Sequence, residues 1–432
     1  MLKRKFMQNL LDWKNNKNTE CLLVKGARQV GKTYIVDWFA REYYTSYISI
    51  NFEEIPRMRE IFDGDLSSEE IIKKMSLLIP DMRIIEGETL IFLDEIQACP
   101  QARTALKFMA MDSRYDVIAS GSLLGIRYKE VSSIPVGYET QVEMHSLDFE
   151  EFLWAIGFQE ESIGYVREYF ETLKRVPEAI HSAMIKYLRE YMVVGGMPSV
   201  VNRFVKTNNF QEVQLEQQKI LDSYLDDIAK YATTHEKPKA RSCYLAIPKQ
   251  LVKEYKKFQF SVVEKGSTAR KYENSLEWLR DAKLIRFCFN VSAPFFPLNA
   301  YEKSNQYKVY LNDVGLLVAM YGFDMKNAIL DDGLKGSVKG GIYESLIADM
   351  LTKKGYDLHY FRNERNSQEI EFLLTKEAKV IPIEVKARNG STLSLNEILK
   401  RSEIEKGIKF ISGNVGVMGK KVTLPLYMAM FL

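Results

Sequence analysis

The stretch Cys21-Leu-Leu-Val-Lys-Gly26-Ala-Arg-Gln-Val-Gly31-Lys32-Thr33 decides the fold. Its apolar opening, Cys21 to Val24, reads as a buried parallel strand, and a helical pattern begins near Lys32 and continues through Val36, Phe39 and Ala40. Between strand and helix stands G-x-x-x-x-G-K-T, the P-loop pattern. The glycines let the backbone turn tightly enough to aim successive N–H groups at a phosphate chain, and the helix N-terminus adds the positive end of its dipole. The expected cradle runs through Gly26, Ala27, Arg28, Gln29, Val30, Gly31, Lys32 and Thr33. Lys32 would reach the β- and γ-phosphates of ATP, and the Thr33 hydroxyl would complete the shell of a Mg²⁺ ion.

Further along, Thr89-Leu-Ile-Phe-Leu-Asp94-Glu95 is an apolar strand that ends in two carboxylates. Asp94 is expected to hold Mg²⁺ through water, and Glu95 to orient or deprotonate the attacking water. A third strand, Tyr115 to Ser122, ends in small hydroxyl residues. This strand end is similar to that of AAA-type ATPases, where a polar residue contacts the γ-phosphate or the water; the resemblance implies that role for Ser120 or Ser122, and a simple turn is the alternative. Strands alternating with helices predict a parallel sheet covered on both faces.

Composition sets the bounds. A chain of 432 residues divides into about two to four domains, and 46% hydrophobic with 27% charged residues is globular rather than disordered. The net charge of +3 carries no global field toward nucleic acid, so any basic surface is local. Cys21, Cys99, Cys243 and Cys288 form no C-x-x-C pair, and the four histidines show no metal-ligand spacing, which argues against zinc and a disulfide framework. The N-terminal segment reads as an amphipathic helix, not a signal peptide, and no apolar run approaches the ~18 residues of a membrane span. A soluble, cytoplasmic protein with no membrane partner is expected.

G-A-R-Q-V-G-K-T, L-D-E-I-Q, S-G-S-L-L-G and L-D-F-E-E-F together resemble the AAA_14 group of P-loop ATPases over roughly residues 1–155. A stimulating arginine is not assigned by the resemblance; Arg103, Arg114 and Arg127 are the candidates.

Residues 150–235 read as helices, with a stop at Gly195-Gly-Met-Pro198. From Arg241 to Pro297 the order is helix, turn, helix and strand, with Tyr307 to Leu311 as a pairing partner, which is the order of a winged-helix module. Its second helix, Ala269 to Ala282, carries Arg270, Lys271 and Arg280 among Tyr272, Asn274 and Trp278. It is either a DNA-contacting helix or part of a docking domain with ordinary surface cations.

In the last hundred residues, Glu369-Ile-Glu371-Phe-Leu-Leu and Ile381-Pro-Ile-Glu384-Val-Lys386 read as strands. A turn at Glu377-Ala378 pairs Glu371 with Glu384 and Glu369 with Lys386, with opposed side chains about 5 Å apart. Two carboxylates so close repel unless a cation lies between them, and Mg²⁺ or Mn²⁺ suits oxygen ligands. Lys386 beside them would position water for metal-assisted phosphodiester hydrolysis. Cross-strand Glu–Lys pairing with no ligand is the plainer alternative.

This arrangement resembles the PD-(D/E)xK nuclease superfamily, and G-G-M-P, L-N-D-V-G-L-L, G-G-I-Y-E and I-P-I-E-V-K-A resemble the DUF4143 region that follows AAA_14 domains. The resemblance implies a quartet of Glu344, Glu371, Glu384 and Lys386, with Glu371 where Asp is usual. The expected architecture is α/β: an AAA-like ATPase domain at 1–155, a helical lid at 156–238, a winged-helix domain at 239–325 and a nuclease-like domain at 326–432. The expected activity is ATP hydrolysis with nucleotide state coupled to DNA engagement and metal-dependent cleavage. The alternative is a nucleotide-gated regulator of DNA or protein whose nuclease fold is inert. The partners so implied are ATP, DNA, and a protein partner or further copies of the chain.

Overall fold

The computed structural model describes residues 2–16, 20–112, 114–122, 137–232, 236–363, 368–387 and 392–432. They form two compact units, one of residues 4–145 with 281–283 and one of the remainder.

The first unit alternates helix and strand: α1 (Phe6–Asn15), β1 (Cys21–Lys25), α2 (Lys32–Tyr43), β2 (Ser46–Asn51), α3 (Ser68–Leu78), β3 (Thr89–Asp94), α4 (Pro100–Ala110), β4 (Asp116–Gly121) and β5 (Glu139–Glu143). The strands pair in parallel in the order β2-β3-β4-β1-β5. Continuous apolar runs such as Leu22 to Val24 and Leu90 to Leu93 are fully buried, as a sheet covered on both faces requires. The register sets Val24 beside Ser120 and Asn51 beside Asp94. With β4 between β1 and β3, the carboxyl ends of three strands meet where the 26–33 loop begins.

The second unit opens with helices: α5 (Phe149–Ala155), α6 (Glu160–Thr172), α7 (Glu178–Val194), α8 (Pro198–Thr207), α9 (Phe210–Tyr231), α10 (Lys237–Leu251), α11 (Phe260–Val263) and α12 (Ala269–Asp281). A hairpin of β6 (Ile285–Val291) and β7 (Glu302–Leu311) follows, then α13 (Val314–Met320), α14 (Phe323–Leu330) and α15 (Gly336–Lys353). β8 (Leu358–Arg362), β9 (Glu369–Lys376), β10 (Lys379–Val385), α16 (Leu393–Ile398), β11 (Gly407–Ile411), β12 (Gly416–Met418) and β13 (Lys421–Pro425) complete it. The eight strands join in one sheet, β12-β13-β11-β10-β9-β8-β6-β7.

Two expectations change here. The hairpin read as a wing is built into this sheet, because β6 pairs in parallel with β8 as well as antiparallel with β7. The helices and strands of 156–432 accordingly pack as one unit rather than three, and α5 packs with them. Its Asp148–Glu151 capping box fixes its start, and Phe149 and Phe152 pack against Tyr191, with Phe152 stacked on Phe204.

Candidate active sites

In the first unit the 26–33 loop closes on itself around a cation. Gly26, Gln29 and Gly31 adopt positive φ of 154°, 66° and 95°, which gives the loop its turns. A Cβ at Gly26 would lie 2.2 Å from the Met144 carbonyl oxygen, so only glycine fits there. Lys32 is buried and donates to the carbonyls of Gly26 (3.0 Å) and Ala27 (2.9 Å). Burial pulls its pKa down, and the charges of Glu95 and Asp94 oppose that only in part. A buried ammonium held by two carbonyls is short of an anion, and a phosphate supplies one.

The acidic strand end is tied to the loop. Thr33 Oγ1 donates to Asp94 Oδ2 at 2.8 Å, Asn51 Nδ2 donates to the same oxygen at 3.2 Å, and Ser120 donates to Asp94 Oδ1. Glu95 turns into the left-handed region (φ 50°), and its carboxylate accepts from Gln97 (2.5 Å) and Ser122 (3.3 Å). The structure thus brings together Lys32, Thr33, Asp94, Glu95, Ser120 and Ser122. The hydroxyl of Thr33 and the carboxylate of Asp94 are the hard oxygens that suit Mg²⁺. Asn51 was missed by sequence reasoning. Its signal was its place at the end of the strand beside β3, where its side chain also accepts from the Glu53 and Glu54 amides. Arg28 approaches Glu53 at 4.0 Å. Of the arginine candidates, Arg103 is buried in an ion pair with Glu139 (2.6 Å), Arg114 pairs with Asp112 (2.5 Å), and Arg127 lies outside the described residues.

In the second unit the β9–β10 hairpin has the expected register. Ile383 pairs with Phe372 and Lys379 with Lys376, so the next step sets Glu384 opposite Glu371. The turn residues Glu377 and Ala378 both have positive φ, as a two-residue hairpin loop of type I′ demands. The cation between the carboxylates is Lys386 itself, whose Nζ lies 2.8 Å from Glu371 and 3.5 Å from Glu384. This corrects the expected pairing of Lys386 with Glu369: β10 ends at Val385, which frees the lysine side chain to swing back toward Glu371. Glu369 instead holds Lys308 (2.6 Å) and Arg362 (2.8 Å).

Burial pushes Glu371 up and the charge of Glu344, on α15, adds to that push, but the hydrogen bonds of Glu344 go elsewhere. It accepts from Lys308 (2.8 Å), Lys256 (2.8 Å) and Tyr310 (2.5 Å). Against the upward push of burial, the two lysines hold Glu344 below the usual carboxylate range. The helix carboxylate is thus compensated by lysines, and among the described residues no group of three or more His, Cys, Asp or Glu side chains is disposed to hold a metal. The Glu371–Glu384 pair fits a cation better, because the buried Glu384 Oε2 has no hydrogen-bond partner. Lys256, Lys308 and Tyr310 were not found by sequence reasoning, since their meeting with Glu344 and Glu369 depends on which elements become neighbours.

Burial, and then the charge of Glu371, push Glu384 up to about 7 from an ordinary 4.5. The folded state then holds this proton more tightly than the unfolded chain, so stability falls as pH rises from about 4.5 to about 7. Glu384→Gln, uncharged throughout, is expected to melt higher than wild type at pH 8 and level with it near pH 4.5. Calorimetric Tm values at the two pH values check this; the same shift at both would sink it.

The helix expected to meet DNA, α12, buries Tyr272, pairs Lys271 with Glu264 (2.5 Å) and pairs Arg280 with Glu277 (3.4 Å). Among the described residues no helix is long and apolar enough to cross a membrane.

Residues 18–153 match the AAA domain family, residues 185–327 a domain of unknown function, DUF8612, and residues 339–427 a second one, DUF4143. An uncharacterized protein of Methanocaldococcus jannaschii, MJ1544, is 24% identical over 406 residues, 90% of this chain and 78% of that one. Among solved structures, the Walker-type ATPase PABY2304 of Pyrococcus abyssi is similar at 16% identity and a TM-score of 0.44, covering 74% of this chain and 96% of its own. The ORC1 protein of Aeropyrum pernix, solved in complex with DNA, is similar at 13% identity and a TM-score of 0.32, covering 77% and 93%. The first of the family matches, with the loop and acidic strand described above, supports ATPase activity. From N- to C-terminus, then, the chain matches the AAA domain family of P-loop ATPases first and DUF4143 last.

Proposed function

We propose that this protein hydrolyses ATP and that its nucleotide state governs how its C-terminal half engages DNA. The observation that carries the ATPase reading is the direct contact of Thr33 with Asp94, which joins the phosphate loop to the acidic strand. In this reading the loop amides and Lys32 hold the β- and γ-phosphates, and Ser120 and Asn51 keep the Asp94 carboxylate turned toward Thr33. Thr33 and Asp94 would hold Mg²⁺, which would supply charge neutralisation on the phosphates. Glu95, oriented by Gln97 and Ser122, is the base for water. Glu95→Gln is expected to keep ATP binding and lose turnover by roughly 10²-fold or more. Retained turnover in that variant would remove Glu95 from the role. DNA engagement rests on the cations of α12; binding that weakens steeply with salt and differs between ATP and ADP supports it, and salt-independent binding counts against it.

A second reading, metal-dependent phosphodiester cleavage at Glu371, Glu384 and Lys386, is favoured by the unpartnered Glu384 Oε2. The pairing of Glu344 with Lys256 and Lys308 favours an inert nuclease fold that serves as a docking surface. Cleavage of DNA with Mg²⁺ or Mn²⁺ by wild type and by Lys386→Ala separates the two. Loss of a metal-dependent product in the variant supports cleavage, and no product from either supports docking.

A further inference from the structure

Arg4 stands outside the phosphate-binding motif, and sequence reasoning assigned it nothing. Its guanidinium bridges two backbone carbonyls of the first unit: Nη1 donates to Val30 O at 3.0 Å and Nη2 to His145 O at 2.6 Å. Val30 is the last residue of the loop before Gly31, and His145 follows the end of β5. The same backbone backs the start of the loop, since Met144 O is the atom that leaves no room for a side chain at Gly26. Residues 144–145 therefore back the start of the loop at Gly26, and Arg4 ties the Val30 carbonyl to the same backbone.

The consequence follows from peptide geometry. In a planar trans peptide the carbonyl of one residue and the N–H of the next point in opposite directions. A donor that fixes the Val30 carbonyl therefore fixes the Gly31 N–H on the other side of the same plane. Glycine at 31, with φ 95°, has the conformational freedom to turn that plane either way, so something outside the glycine must set it. We propose that Arg4 is a positioning residue of the phosphate loop, pinning the Val30–Gly31 peptide so that the Gly31 amide is set for a phosphate oxygen before nucleotide arrives. The inference rests on the ATPase reading of the loop.

The planar fork is essential to this role, because one ammonium cannot span carbonyls of two separate segments in the fixed geometry of a guanidinium. Arg4→Lys keeps the charge and loses the bridge; Arg4→Ala loses both. Binding of a fluorescent N-methylanthraniloyl ATP, steady-state kcat and KM, and Tm are measured for wild type and both variants of the full chain. Positioning predicts that each variant weakens binding of the ATP analogue and raises KM about tenfold, with kcat at saturation within about threefold and the two variants alike. Arg4→Lys that binds as tightly as wild type shows that charge alone suffices and overturns the inference. So does a fall in kcat with KM unchanged. Wild type that retains no analogue overturns the ATPase reading itself, and the inference with it.

Discussion

Lys32→Ala is expected to abolish ATP turnover, lowering kcat/KM by at least about 10²- to 10³-fold, while leaving the apo fold as stable as wild type or more so. The two halves of that expectation have one cause. Lys32 is buried, and in the absence of a phosphate its ammonium is answered by two carbonyls and by carboxylates whose charges offset burial only in part. A lysine whose folded pKa is lowered costs stability wherever it is charged, which includes neutral pH. Alanine removes that cost, at the expense of two hydrogen bonds to Gly26 and Ala27. With nucleotide the balance reverses: the ammonium gains the anion it lacks, and wild type gains stability by mass action, about 2.7 kcal/mol at a ligand concentration of 100 Kd. Scanning calorimetry with and without Mg-ATP should therefore show a nucleotide-dependent rise in Tm for wild type and none for the variant. Undiminished turnover by purified Lys32→Ala would mean that hydrolysis occurs at another site.

How far the sequence carried this reading depended on distance along the chain. The loop was legible because strand, glycines, lysine and helix lie within thirteen consecutive residues, and the acidic strand because its carboxylates end one apolar run. The β9–β10 register was legible for the same reason: a two-residue turn leaves one pairing, and Glu371 and Glu384 follow from it. The partners of Glu344 were not. Lys308 reaches it from β7 and Lys256 from the segment after α10, and no local periodicity says that these elements flank α15. The hairpin β6–β7 shows the same limit. Its alternation fits a wing or a sheet strand equally well, and only the parallel partner β8, some seventy residues on, decides between them. Lys386 failed for a smaller reason, since alternation holds only inside a strand and this residue lies one step beyond its end.

Asp313→Ala is the second large effect, and it concerns the motifs that neither site uses. Asp313 is fully buried, and its two oxygens gather three segments far apart in sequence. Oδ1 accepts the amides of Gly315 (2.9 Å) and Leu316 (3.2 Å), capping α13. Oδ2 accepts Ser146 Oγ (2.8 Å) and the Gly196 amide (2.8 Å), and lies 3.5 Å from the Lys353 ammonium. The glycines of these segments make the approach possible: a Cβ at Gly195 would fall 2.1 Å from Asp313 Oδ1, and one at Gly196 would fall 1.9 Å from Leu147 O. Leu147 is held in turn, its carbonyl accepting from Tyr191 (2.9 Å) and Lys353 (3.1 Å) and its amide donating to Gly196 O (2.7 Å). The stretches L-D-F-E-E-F, G-G-M-P and L-N-D-V-G-L-L are thus one buried knot in the second unit. Alanine at 313 leaves buried donors at Ser146, Gly196 and the head of α13 without this acceptor, each costing about 1–3 kcal/mol, and Lys353 loses one counter-charge while keeping Asp349 at 2.8 Å. Some of those donors would find water, so a net loss of about 3–5 kcal/mol is expected, with a fall in Tm on the order of 10 °C. Asp313→Asn should fall between, since its amide oxygen still accepts at one end while its NH₂ meets donors at the other. Calorimetry on both variants checks the order, and an Asp313→Ala chain that melts within about 2 °C of wild type would mean that the knot is held by its apolar surroundings rather than by this carboxylate.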